Sequence, residues 1–115
     1  MRVLVTGSRD WTKENVIQEE LRALIPIDLL IFGDATGVDE IAWRAAEELR
    51  IPYLRIQANW AKYGKAAGPL RNAEMLERGR PSLVLAFHED LQHSKGTKDM
   101  VKQAKATKIP VKLIV

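Results

Sequence analysis

The chain has 115 residues, 46% of them hydrophobic and 29% charged, a size and balance that suit one unit around one core and leave no room for intrinsic disorder. With no cysteine and only two histidines, disulfides, thiolate catalysis and cysteine- or histidine-rich zinc sites are excluded, and no apolar run reaches the roughly 18 residues of a membrane helix. The formal charge of +3 is split into −4 over residues 1–50 and +7 over residues 51–115, so the second half is the one suited to attract phosphate-bearing partners.

The chain opens on the apolar run Val3 to Thr6, the first of five predicted strands. It lacks the basic, apolar and small-residue succession of a signal peptide, and a reducing, cytoplasmic setting is expected. Val16, Ile17, Leu21, Leu24 and Ile25 then fall on one helical face, with Thr12 placed to act as N-cap. Leu29 to Phe32 is the second strand. Val38, Ile41, Ala42, Ala45, Ala46 and Leu49 make a second helical stripe, whose small alanines let a helix approach a sheet closely.

The third strand is Tyr53 to Ile56, the third helix Pro69 to about Arg78, the fourth strand Leu83 to Phe87, the fourth helix Thr97 to about Thr107, and the fifth strand Val111 to Val115. Pro52, Pro81 and Pro110 each stand just before a strand, where a missing N–H harms a sheet least. Lys98, Lys102 and Lys105 form a solvated stripe opposite Val101 and Ala104. Short apolar strands alternating with amphipathic helices predict an α/β fold. It is a Rossmann-like three-layer α/β/α sandwich over residues 1–115, with a five-stranded, mainly parallel sheet in the order 3-2-1-4-5.

In a parallel sheet, segments that follow strands emerge on one edge, where such folds bind ligands. Here these segments are Gly7-Ser8-Arg9 after the first strand, Gly33-Asp34-Ala35-Thr36-Gly37 after the second and Ser94-Lys95-Gly96-Thr97 after the fourth. Glycine admits close approach, and helix-start N–H groups favour an anion. The convergence therefore implies a phosphate ligand, with hydroxyl donors from Ser8, Thr36, Ser94 and Thr97 and a planar fork from Arg9. The spacing matches neither a Walker A loop nor the G-x-G-x-x-G dinucleotide fingerprint.

After the third strand, Asn59-Trp60, Tyr63-Gly64-Lys65 and Gly68-Pro69-Leu70-Arg71-Asn72 form a long loop that is polar, aromatic and basic together. Trp60 either covers the core or stacks on a base, while Arg71 and Asn72, at a helix opening, can reach phosphate, ribose or base. Asp39 sits in the first turn of the second helix. There a carboxylate offsets the helix dipole, yet Asp39 and Asp34 also lie close enough to the loops to hold a ribose hydroxyl or act as general base. His88, Glu89, Asp90 and His93 read as a solvated loop, and neither a metal nor an organic cofactor is expected.

These residues, from Gly7-Ser8-Arg9 through Gly33-Asp34-Ala35-Thr36-Gly37-Val38-Asp39 and Ala42, then Trp60, Gly68, Arg71, Asn72 and Met75, to Ser94, Gly96 and Thr97, together resemble the YspA-like branch of the SLOG superfamily. That superfamily joins DNA-processing protein A and the LONELY GUY phosphoribohydrolases. The resemblance implies a Rossmann-like domain that binds a nucleotide or nucleotide-derived ligand, as a sensor or nucleotide-processing module linked to phage and conflict systems. It also implies pairing into a homo-oligomer, with Trp43 or Trp60 as interface candidates.

Two further activities follow from the resemblance. Hydrolysis of a nucleotide N-glycosidic bond would draw on Asp34, Asp39 and Arg71. However, the position equivalent to the glutamate of the LONELY GUY motif P-G-G-x-G-T-x-x-E holds Met100, with Asp99 one residue away and turned by about 100° on a helix. Single-stranded nucleic acid binding is the other, since Gly33 to Asp39 also resembles the G-x-A-x-G-I-D loop of DNA-processing protein A.

Overall fold

The computed structural model describes residues 1–115. Five strands, β1 (Arg2–Gly7), β2 (Leu29–Phe32), β3 (Tyr53–Arg55), β4 (Leu83–Phe87) and β5 (Val111–Ile114), pair in parallel in the order β3-β2-β1-β4-β5. This is the order that the alternation of strands and helices predicts. Helices α1 (Glu14–Leu24), α2 (Val38–Glu48), α4 (Ala67–Gly79) and α5 (Gly96–Ala106) connect them, and a short α3 (Trp60–Tyr63) precedes α4. None of these helices is long and apolar enough to cross a membrane.

Alternation along the strands divides the core. Val3 and Val5 of β1, Leu30 and Phe32 of β2, and Leu85 and Phe87 of β4 point to α1 and α2 and pack with Ile17, Leu21, Ile41 and Ala45. Leu4, Ile31 and Val84 point the other way, against Met75, Met100 and Ala104 of α4 and α5. Strands buried on both faces are continuous apolar runs for this reason. The sheet is therefore clad by one helix pair on each side.

Several elements differ locally from the expectation. Thr12 is not the N-cap of α1. Its backbone carbonyl accepts from Glu14 N at 2.9 Å, and Lys13 occupies the cap position with no side-chain cap bond. Ile25 lies past the end of α1 and is exposed. The stretch expected to be a loop holds α3, because Asn59 Oδ1 accepts from Lys62 N at 3.1 Å and caps that turn. A 3₁₀ turn, Gly64–Ala66, then leads into α4, which begins two residues before Pro69. Proline is tolerated there because first-turn N–H groups have no intrahelical partner. Lys98, Lys102 and Lys105 are exposed, as their stripe predicts.

Leu85, fully buried at the centre of the sheet, tests this packing. Leu85→Ala is expected to lower stability by about 2–5 kcal/mol, measured by urea denaturation.

Candidate ligand cleft at the carboxyl edge of the sheet

The loop after β1 is fixed by backbone contacts. Ser8 N donates to Phe87 O at 2.9 Å, and Ser8 O accepts from Val38 N at 3.1 Å. A Cβ at Gly7 would lie 2.2 Å from Phe87 O, so β1 and β4 approach this closely only with glycine there. Gly37 has φ +69, and a Cβ on it would lie 2.3 Å from Ser8 O. Glycine thus serves both the left-handed backbone and the contact between the first two loops. Trp11, buried and edge-on to Phe87 at 5.8 Å between ring centroids, anchors the far side of the first loop, with its Nε1 donating to Lys13 O at 3.0 Å.

Between these loops and the start of α5 lies a cleft of about 400 Å³. Of the residues singled out in the sequence, Gly7, Ser8, Arg9, Ala35, Asp39, Arg71, Ser94, Gly96 and Thr97 line it. Asp10, His88, Glu89 and Lys95 line it as well. His88 and Glu89 come directly after the fourth strand and Lys95 lies inside a glycine loop, whereas Asp10 stands one residue past the first loop; residue type alone does not mark them as ligand-facing.

The remaining expected residues lie elsewhere. Gly33 sits beneath the site, where a Cβ would come within 2.9 Å of Asp39 Oδ2 and 3.1 Å of Arg71 Nη1. Asp34, Thr36 and Trp60 line a second hollow of about 230 Å³, which shares Arg9, Ala35 and Arg71 with the first. Thr36 Oγ donates to Arg9 O at 3.2 Å. Gly68 packs under the Trp60 ring. Gly37 faces another hollow, beside Arg44 and Glu40. Asn72 is buried and does not line the cleft; its Nδ2 donates to Gly96 O at 3.1 Å and to Asp99 at 2.9 Å, joining α4 to α5.

Many loop amides are engaged within the protein. Ala35 N donates to Asp39 Oδ2 at 3.0 Å, Asp10 N to Ser8 Oγ at 3.1 Å, and Thr97 N to Ser94 Oγ at 3.0 Å. Ser94 thereby acts as a cap for α5. The backbone N–H groups of Arg9, Lys95 and Gly96, all on residues of the cleft, make no hydrogen bond in the protein. The side chains of Arg9 and Lys95 likewise have no salt-bridge partner.

Arg71 differs from these two. Its Nη1 pairs with Asp34 Oδ1 at 2.7 Å, its side chain is nine-tenths buried, and its buried Nε lacks any partner. Burial also pushes the Asp39 carboxyl up to about 6, against the opposing effects of the Ala35 N–H and the Arg71 charge. The Ser8 hydroxyl, donating to Glu89 Oε1 at 2.8 Å, holds Glu89 below the usual carboxylate range. His93 pairs with Asp90 at 2.6 Å, and no group of three or more His, Asp or Glu side chains is arranged to hold a metal.

Two variants check this geometry. Asp39 ionises near 3.8 when unfolded and near 6 when folded. Its contribution is therefore fully present below pH 3.8 and is lost as pH rises through 6, a difference of about 3 kcal/mol. Asp39→Asn should match wild type near pH 4 and exceed it by up to about that amount at pH 7.5 in urea melts. Gly37→Ala should lose about 1–3 kcal/mol through backbone strain alone, and more through the clash with Ser8 O, in the same assay.

A sequence model of the YspA, cpYpsA-related SLOG family matches residues 1–63, which include the first two loops and Trp60 but not Arg71 or the α5 loop. The Gene 61 protein of Mycobacterium phage D29 is 36% identical over 119 residues, covering 96% of this chain and 93% of that protein. The crystal structure of UDP-GlcNAc 2-epimerase from Neisseria meningitidis, bound to UDP-GlcNAc, superposes with a TM-score of 0.60 at 22% identity. That likeness covers 99% of this chain but only 32% of the epimerase, and it bears on the Rossmann-like fold alone. The match over more than half the chain and the near full-length phage relative agree: the chain belongs to the YspA, cpYpsA-related SLOG family.

Proposed function

We propose that the cleft binds a nucleotide or a nucleotide-derived phosphate ligand, as a sensor or nucleotide-processing module. The observation that carries this reading is the set of unpartnered donors around one hollow: the N–H groups of Arg9, Lys95 and Gly96 and the side chains of Arg9 and Lys95. Donors without partners cost free energy unless water or a ligand accepts from them, and an oxyanion does so most favourably at a helix start. Thr97 adds a hydroxyl from the same wall, whereas the Ser8 hydroxyl is already given to Glu89. The adjoining hollow offers Trp60, 47% exposed, as a surface on which a base can stack.

Isothermal titration with AMP, ADP-ribose and cyclic nucleotides tests the reading. Binding is expected, weakened about tenfold or more by Arg9→Ala, the scale of one charge-assisted hydrogen bond. Silence with every compound overturns it.

A second reading is favoured by one observation, the buried Asp39 carboxyl on the cleft wall, which titrates at about 6. A carboxyl of that pKa can exchange a proton near neutral pH, as hydrolysis of an N-glycosidic bond requires. In that reaction water adds to the anomeric carbon and the base departs with a proton. Chromatography of AMP incubated with the protein should then show free base and ribose 5-phosphate, abolished in Asp39→Asn. Unchanged AMP leaves binding without turnover.

A further inference from the structure

The charges around the cleft constrain the ligand further, on the reading that it binds a phosphate there. Three cations line it, but Arg71 is neutralised by Asp34 at 2.7 Å. His88 Nδ1 accepts from Asp90 N at 2.8 Å, and His93 is turned onto Asp90. The unpaired cations are Arg9 and Lys95. Facing them on the same walls are three carboxyls, those of Asp10, Asp39 and Glu89, and Glu89 is fixed on the Ser8 hydroxyl at 2.8 Å, beside the unpartnered amide of Arg9.

Two unpaired cations match the roughly two negative charges of a terminal phosphate at neutral pH. A second or third phosphate would add charge for which the cleft holds no cation, and it would meet Glu89 and Asp10. Sugar hydroxyls suit those carboxylates better, because an ionised carboxylate only accepts hydrogen bonds. We propose that this is a single-phosphate site, in which Glu89, seated on Ser8, determines specificity by rejecting nucleotides that carry a phosphate chain and accepting those whose phosphate adjoins a hydroxyl-bearing sugar.

The test is titration of the whole chain with AMP, ADP and ATP, in chelator and again with magnesium, for wild type and Glu89→Gln. Glu89 is exposed, so the variant is expected to fold. Wild type should bind AMP about tenfold or more tighter than ATP, the scale of one uncompensated like-charge contact in a partly solvated site. Glu89→Gln should narrow that ratio at least threefold by improving ATP. ATP binding as tightly as AMP in either buffer overturns the proposal, as does a Glu89→Gln variant that weakens all three alike, which would make Glu89 a common ligand contact. If none of the three binds while other phosphate compounds do, the single-phosphate proposal falls and the phosphate-binding reading stands; if nothing binds, both fall.

Discussion

The pairing of β1 with β4 is the contact on which the rest of the site depends. Chain direction reverses its course across the sheet there, with β2 and β3 laid down on one side of β1 and β4 and β5 on the other. The loops that leave β1 and β4 therefore run to helices on opposite faces, and a gap opens between them. Gly7 sets its width, since any side chain would strike Phe87 O, and the bond from Ser8 N to that same oxygen closes the floor. Above the floor the walls come from α2, α5 and the two loops. The cleft thus results from topology and one missing Cβ.

How far the sequence revealed this differs from residue to residue. Strand order and the meeting of the first and fourth loops were legible, because apolar runs, proline positions and crossover handedness leave few arrangements. The roles of Asn72, Thr36 and Ser94 were not. Each carries a short polar side chain that can serve ligand or backbone alike; for Asn72 and Thr36 the choice depends on partners far away in sequence, Gly96 and Asp99 for the one and Arg9 for the other, while Ser94 turns to the nearby Thr97 N–H. The helix at Trp60 escaped for a related reason. One Asn59 cap over four residues leaves no hydrophobic period to detect. Trp11 is not legible either, because a lone aromatic in a polar turn gives no sign of whether it folds back onto the core.

Arg9 and Arg71 show why counting charges along a sequence does not describe a site. Both follow a glycine segment and both line the cleft, yet Arg71 is held by Asp34 with its side chain nine-tenths buried, and Arg9 is free. A buried pair of that kind contributes little net stability, but loss of one partner leaves the other charge stranded, at a cost of about 3–5 kcal/mol. Arg71 is therefore a fixed part of the wall, whose attraction for an anion is partly cancelled in advance. Arg9 and Lys95, solvated and unpaired, keep their full charge for a ligand at the expense of side-chain freedom on binding.

The start of α5 brings the same logic to bear on chemistry. Met100 is fully buried among Leu4, Ile31 and Val84, so that position of the helix faces the sheet and not the cleft. Asp99, one residue earlier, accepts from Asn72 and Gln103 at 2.9 and 2.7 Å, and its carboxylate is turned to the α4 side. Neither residue presents a carboxyl to the hollow above Thr97. The carboxyls that do line it come from the β1 loop, from α2 and from the β4 loop, as Asp10, Asp39 and Glu89, and only Asp39 among them is buried deeply enough for desolvation to bring it near neutrality. Among the carboxyls of this cleft, the one suited to proton transfer near neutral pH therefore stands on α2, across the sheet from α5.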